Sequence, residues 1–137
     1  MSIEFPLPQR QTTFGLISDP RIPIPVRTLT GYRPFDFLID TGADISLAPR
    51  RVATLVGLDW TALPDAHVRG VGSDTVQARV GTLSMRMEEL ELTIRCLFVD
   101  SPRTPFILGR ADFLDRFVLT IDPRRRRITL DPVSEVP

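Results

Sequence analysis

At 137 residues the chain fits one domain with a real but modest core. Its 17 acidic residues balance 17 basic ones, so overall charge points neither to a nucleic-acid-binding protein nor to an acidic tail. The single cysteine, Cys96, excludes an intrachain disulfide; set among Leu92, Ile94, Leu97 and Phe98, it reads as a buried thiol in a reducing compartment. The opening Met-Ser-Ile-Glu-Phe-Pro lacks the basic-then-apolar pattern of a signal peptide, and no apolar run approaches a membrane span. A cytoplasmic protein with no membrane association is expected.

Residues 1–13, with Pro6 and Pro8 among polar neighbours, read as an extended N-terminal arm, loose or laid on a partner. Residues 14–131 form the domain. Phe14 to Ile17 and Ile22 to Leu29 are strand-like, broken by Asp19-Pro20. Pro23 and Pro25 alternate with Ile22, Ile24 and Val26 and cannot donate to a ladder on their side, so this is an edge strand or an extended arm. A turn at residues 30–34 leads into Phe35-Asp36-Phe37-Leu38-Ile39-Asp40-Thr41-Gly42-Ala43-Asp44-Ile45-Ser46-Leu47. There an apolar strand ends on a carboxylate, which is costly unless something holds and uses it. Gly42 permits a tight turn and a close backbone approach, and Thr41 brings a short hydroxyl. A second acid, Asp44, stands four residues beyond Asp40. This is the layout of a site rather than of a core.

Pro49 suits the first turn of a helix over 49–57, with Val52, Leu55 and Val56 at helical spacing and Gly57 as its stop. Trp60 packs against the domain. Residues 67–76 read as a hairpin around Gly70-Val71-Gly72. Val76 to Val80, Leu83 to Met87 and Leu90 to Val99 continue as strands. Phe106-Ile107-Leu108-Gly109 is a short buried strand ending in glycine. Arg110 to Phe117 reads as a second helix, with Phe113, Leu114 and Phe117 on one face. Val118 to Ile121 and Arg127 to Leu130 form a closing hairpin, and residues 132–137 are a short polar tail. No internal repeat is visible, and the balance is mainly β.

Asp40-Thr41-Gly42-Ala43-Asp44 behind Phe-Leu-Ile resembles the active-site loop of the retroviral-type aspartic proteases, the retropepsin family. Two later segments strengthen the resemblance: the hairpin at Gly70-Val71-Gly72 and the Ile107-Leu108-Gly109-Arg110 strand end. All three occur in the family's order, spanning about residues 22 to 131. The resemblance implies a single-lobe acid-protease barrel with a flap hairpin and one or two short helices. It implies an aspartic endopeptidase that hydrolyses peptide bonds in a polypeptide substrate and needs no cofactor or metal.

Such chemistry uses two carboxylates across a bound water, one taking its proton and the other polarising the scissile carbonyl. Like charges so close do not both ionise readily, so the pair titrates as a unit. This chain holds one Asp-Thr-Gly. Given the family, a catalytic site therefore requires a homodimer with one Asp40 from each subunit on the two-fold axis. By the same resemblance Asp40 is catalytic, and Thr41 and Gly42 set the loop and the dimer geometry. Gly42, Ala43 and Asp44 contact substrate, as do the flap residues Gly70, Val71 and Gly72. Gly109 and Arg110 support the loop, with an ion pair between Arg110 and Asp44. Ala43 offers no hydroxyl to the ionised pair, so a mildly acidic optimum is expected.

The flap is less glycine-rich than in viral members, and the proline-studded termini suit a dimer that is built differently or is weak. The alternative reading is a catalytically silent dimerisation or peptide-binding module of the same fold. The lone His67 is a strand residue, and with no second histidine or cysteine pair near it a metal site is not expected. The run Arg124-Arg125-Arg126-Arg127 is read as a solvated turn rather than a nucleic-acid patch.

Overall fold

The structure is a computed structural model and describes residues 1–66 and 76–133. Its strands are β1 (Ile3–Pro6), β2 (Gln9–Thr12), β3 (Gly15–Ser18), β4 (Arg21–Thr28), β5 (Gly31–Ile39), β6 (Ser46–Pro49), β7 (Asp65–Ala66), β8 (Ala78–Met87), β9 (Leu90–Val99), β10 (Ile107–Leu108), β11 (Phe117–Asp122) and β12 (Arg127–Pro132). One α-helix, α1 (Arg50–Leu55), follows β6, and single 3-10 turns lie at Trp60–Ala62 and Leu114–Arg116. This is the mainly β, barrel-like single lobe expected from the sequence.

Seven strands make the main sheet in the order β4-β5-β10-β6-β9-β8-β7, and a bridge between Val26 and Met85 joins β4 to β8 and closes the barrel. The sequence pattern explains which residues fill it. In β4 the residues Ile22, Ile24 and Val26 are fully buried, whereas Pro23 is exposed. β4 pairs along its whole length with β5 and otherwise only at Val26, so its prolines sit on a largely free edge. Leu83, Met85 and Met87 of β8 and Leu92, Ile94 and Cys96 of β9 continue the core at the same two-residue period. Beyond Cys96 the period lapses and Cys96 to Val99 are all buried. A second small cluster, Ala78, Leu97 and Val99 with Ile45 and Leu47 against it, covers the other face there. A strand covered on both faces reads as a continuous apolar run. Each large core side chain contributes about 1.5–3 kcal/mol relative to exposure.

β1, β12 and β11 form a separate three-stranded antiparallel sheet. The N-terminal arm is extended, as read, but it is tied to its own chain: Ile3 and Leu7 are each 2% exposed in the core cluster with Ile128 and Leu130. Ile3, Phe5 and Leu7 keep a two-residue period that Pro6 and Pro8 disguise. β2, which the sequence reading left inside the arm, pairs with β3 as a hairpin whose tip, Phe14, is 93% exposed. At the other end β12 runs through Pro132, one residue into the segment read as tail.

The short helix after Pro49 forms, and its C-terminus closes at Gly57, whose φ of +86° a glycine adopts without strain. The second helix, read over Arg110 to Phe117, does not form beyond the single turn Leu114–Arg116. Asp112 stands at φ +66°, a left-handed conformation that no α-helix continues through. Its carboxylate is bound to Arg95 on β9, and that tertiary contact outweighs the helical spacing of Phe113, Leu114 and Phe117. The hairpin read over 67–76, with His67, Gly70, Val71 and Gly72, lies outside the described residues but for its last member, Val76.

Candidate active site

The site begins where β5 runs out of barrel. Phe37 is fully buried and Ile39 is 6% exposed, so the strand is pinned up to the residue before Asp40. β10 is the brace. It lies parallel to β5, with Ile107 beside Leu38 and Leu108 beside Ile39, and antiparallel to β6 at Leu47. Asp40 N–H donates to Leu108 O at 3.1 Å, fixing the backbone at the carboxylate itself.

The loop then turns back on itself. Ala43 N–H donates to Asp40 O at 3.1 Å, and Gly42 N–H donates to Asp40 Oδ1 at 2.9 Å. The second bond orients the carboxylate, and a Cβ at position 42 would stand 3.2 Å from the same oxygen. Asp40 is half-buried, whereas Thr41, Gly42 and Asp44 are exposed. The loop therefore presents one held carboxylate at the surface, flanked by groups open to a second molecule.

The segment after β10 holds the far side. Arg110 N–H donates to Ala43 O at 2.9 Å and Ala111 N–H to Asp44 O at 2.8 Å. The Arg110 guanidinium also pairs with Asp44, the contact anticipated from the sequence. Both side chains are well exposed in the single chain, at 50% and 89%, so the pair contributes little stability there. Gly109 is buried and approaches β6 very closely: a Cβ on it would lie 2.5 Å from Ile45 C and 2.6 Å from Ile45 O. Only glycine fits between these two backbones.

Two further contacts had no signal in the local sequence. Ser46 is fully buried, and its Oγ accepts from Gly109 N–H at 3.0 Å, joining the two halves of the site through the core. Its place two residues after Asp44 was visible, but its partner, 63 residues away, was not. Asp112 accepts from Arg95 Nε at 2.8 Å, from Arg95 Nη2 at 3.1 Å and from the Arg95 backbone N–H at 2.9 Å. The Arg95 side chain first, and its backbone N–H second, hold the Asp112 carboxyl down to about 2. This clamp ties the segment behind the site to β9.

Among the described residues, no group of three His, Cys, Asp or Glu side chains is placed to hold a metal ion. Nor is any helix among them long and apolar enough to cross a membrane. Cys96 is buried and its thiol is pushed well up by desolvation, so it is no nucleophile.

A one-lobe barrel with an Asp-Thr-Gly loop braced by a hydrophobic-hydrophobic-Gly strand defines the single-lobe acid-protease class. A family profile described as "gag-polyprotein putative aspartyl protease" matches residues 27–116, and the chain belongs to that family of retropepsin-like aspartic proteases. Comparison with curated proteins finds no match. Among solved structures the chain is similar to a retropepsin-like aspartic protease from Rickettsia conorii, at 20% identity and a TM-score of 0.64, covering 95% of this chain and 91% of that one. It is also similar to the retroviral protease-like domain of Ddi1 from Leishmania major, at 15% identity and a TM-score of 0.61, covering 87% of this chain and 97% of that one. At these identities the likeness is one of fold.

Proposed function

We propose that the protein is an aspartic endopeptidase that acts as a homodimer on polypeptide substrates, with one Asp40 from each subunit forming the catalytic pair. The observation that carries this reading is the setting of Asp40. It is one carboxylate per chain, at the end of a buried strand, with Oδ1 bound by Gly42 N–H and its loop braced from β10. One carboxylate cannot act at once as base toward water and as acid toward the carbonyl, so a second copy completes the site.

In the assembled pair one carboxylate is ionised and the other protonated. The ionised one takes a proton from the water, whose oxygen bonds to the scissile carbonyl carbon. The protonated one donates to the carbonyl oxygen, giving a neutral tetrahedral diol. As that intermediate collapses, the C–N bond breaks, a proton moves to the leaving nitrogen, and an acid and an amine result. Thr41 and Gly42 set the geometry of facing loops, and Gly42, Ala43 and Asp44 hold the substrate main chain. Gly70, Val71 and Gly72 close over the substrate as a flap and exclude water. Gly109 and Arg110 keep the loop in place, and no cofactor or metal takes part.

The test is cleavage of a peptide library at about pH 4–7, around the mildly acidic optimum expected for this pair. Wild type, Asp40→Asn and wild type with a transition-state-like aspartic protease inhibitor are compared, with mass read by light scattering. Cleavage by a species of dimer mass, lost in the variant and with the inhibitor, supports the reading. Undiminished cleavage by Asp40→Asn overturns the mechanism, and a stable dimer that cleaves nothing favours the silent binding module.

A further inference from the structure

We infer that two copies of this chain join edge to edge through β11, pairing it antiparallel with itself around Leu119. The inference rests on the homodimer of the proposed function and says how that dimer is built.

In its sheet β11 is an edge strand; among the described residues its only strand partner is β12. Edge strands are usually blunted by proline, charge or shortness, because their free N–H and C=O groups recruit other chains. Among the described residues the other edges are short or carry such devices, although four-residue β3 also exposes Leu16 and Ile17. β1 carries Glu4 and Pro6, β4 carries Pro23 and Pro25, and β7 has two residues. β11 reads Phe-Val-Leu-Thr-Ile-Asp over six residues, with no proline and with its one charge at the end. Val118 is 58% exposed and Ile121 39% exposed.

The direction of the free groups follows from the register. Residue pairs of β11 and β12 run from Phe117 opposite Pro132 to Asp122 opposite Arg127. One step beyond, Val133 N–H donates to Arg116 O at 2.8 Å, so Arg116 and Val133 are a hydrogen-bonded pair. Bonded pairs alternate in an antiparallel ladder. Val118, Thr120 and Asp122 therefore bond to β12, while Leu119 and Ile121 turn both their N–H and C=O groups outward; Phe117 turns out only its C=O, since its N–H donates to Leu114 O. Pro132 fits this pattern, since it stands opposite Phe117, where no N–H toward β11 is needed.

A two-fold axis normal to the sheet keeps each face on its own side, so residues of like parity must meet across the seam. An axis at Leu119 sets Leu119 opposite its own copy, Phe117 opposite the partner's Ile121, and Val118 opposite the partner's Thr120. Leu119 then exchanges both its bonds with its own copy, and the Phe117 C=O accepts from the N–H of the other copy's Ile121. An axis at Thr120 would instead set Phe117 opposite Pro123, which has no N–H to give. The Leu119 register also continues the apolar row, because half-exposed Ile121 comes against buried Phe117 of the other copy. Two three-stranded sheets become one of six strands. The segment 110–116 alone separates β11 from Gly109 and the Asp40 loop, so the seam is coupled to the catalytic loops.

The test is residue-resolved amide hydrogen exchange by NMR on wild type and Asp40→Asn, concentrated and diluted, with mass measured in parallel. The expected result is alternation. Amides of Val118, Thr120 and Asp122 are protected at both concentrations, while those of Leu119 and Ile121 are protected only where mass is dimeric. Ile121→Pro, which removes an outward donor and leaves the β12 ladder intact, should shift the mass to monomer at concentrations where wild type is dimeric. A dimer whose Leu119 and Ile121 amides exchange freely overturns the seam and leaves the protease reading standing. Protected odd amides in a dimer that cleaves no peptide support the seam and count against the protease. A chain that is monomeric throughout, with free odd amides, refutes the seam.

Discussion

Replacing Gly109 by alanine tests whether the site is held by backbone approach rather than by side-chain pairing. The added Cβ would meet Ile45 C at 2.5 Å, Ile45 O at 2.6 Å and Ser46 N at 2.9 Å. All three are main-chain atoms between Asp44 and β6, so no rotamer change relieves the contact. β10 must back away from β6, stretching the 3.0 Å bond from Gly109 N–H to Ser46 Oγ. Overpacking of this kind costs about 1–3 kcal/mol, and an unsatisfied buried N–H adds about 1–3 kcal/mol. We expect a loss of about 2–6 kcal/mol in urea unfolding followed by circular dichroism. That is a large part of the roughly 5–15 kcal/mol available to a domain and lowers Tm by on the order of 10 °C. Ser46→Ala, which removes only the acceptor, should cost about 1–2 kcal/mol. The double variant should lose less than the sum, since both changes act on one contact. A Gly109→Ala protein within about 0.5 kcal/mol of wild type, the range of neutral surface changes, would refute the reasoning.

Two other predictions concern acid and thiol chemistry. Arg95 lowers the folded pKa of Asp112 to about 2, below its unfolded value, so the stability it contributes is present above the ordinary carboxylate range and is lost as pH falls through about 2. Asp112→Asn keeps a residue that tolerates φ +66° but cannot ionise; its stability deficit against wild type should be full at pH 6 and vanish from about pH 4 to 2, as urea titrations at stepped pH would read. A deficit unchanged down to pH 2 would show that shape rather than charge sets the clamp. Cys96 is fully buried, with its thiol pushed up by desolvation, so it should react with a thiol reagent only at the rate at which the protein unfolds. Labelling that is fast in folded protein would contradict its burial.

What could be read from the sequence was whatever its neighbours in the chain determine. Phe37-Leu38-Ile39 ahead of Asp40 announces a buried strand ending on an acid, and Ile107-Leu108-Gly109 announces its brace, because apolar run and breaker are adjacent in each. The capping proline and stopping glycine of α1 are local in the same way. The misreading at Arg110 to Phe117 has a non-local cause, since the spacing there is helical and the contact that prevents the helix comes from Arg95. β2 has no signature in the sequence because Gln9 to Thr12 are polar and largely exposed on both faces, so nothing alternates. Ser46 lay in plain view, but nothing near it in the chain names a backbone N–H as its partner.

The pairing of β1 with β12 also governs when this protein can fold. The Arg127–Glu4 ion pair that flanks it joins residues 123 positions apart, whereas β11 and β12 meet across a short turn. Closing so long a loop costs chain entropy before any contact rewards it, and topologies rich in such pairings fold on the millisecond-to-second scale. During synthesis, the apolar side chains of Ile3 and Leu7 emerge long before Ile128 and Leu130 and wait for them. Until then β1 lacks its strand partner, and the nascent chain is exposed to association with its neighbours.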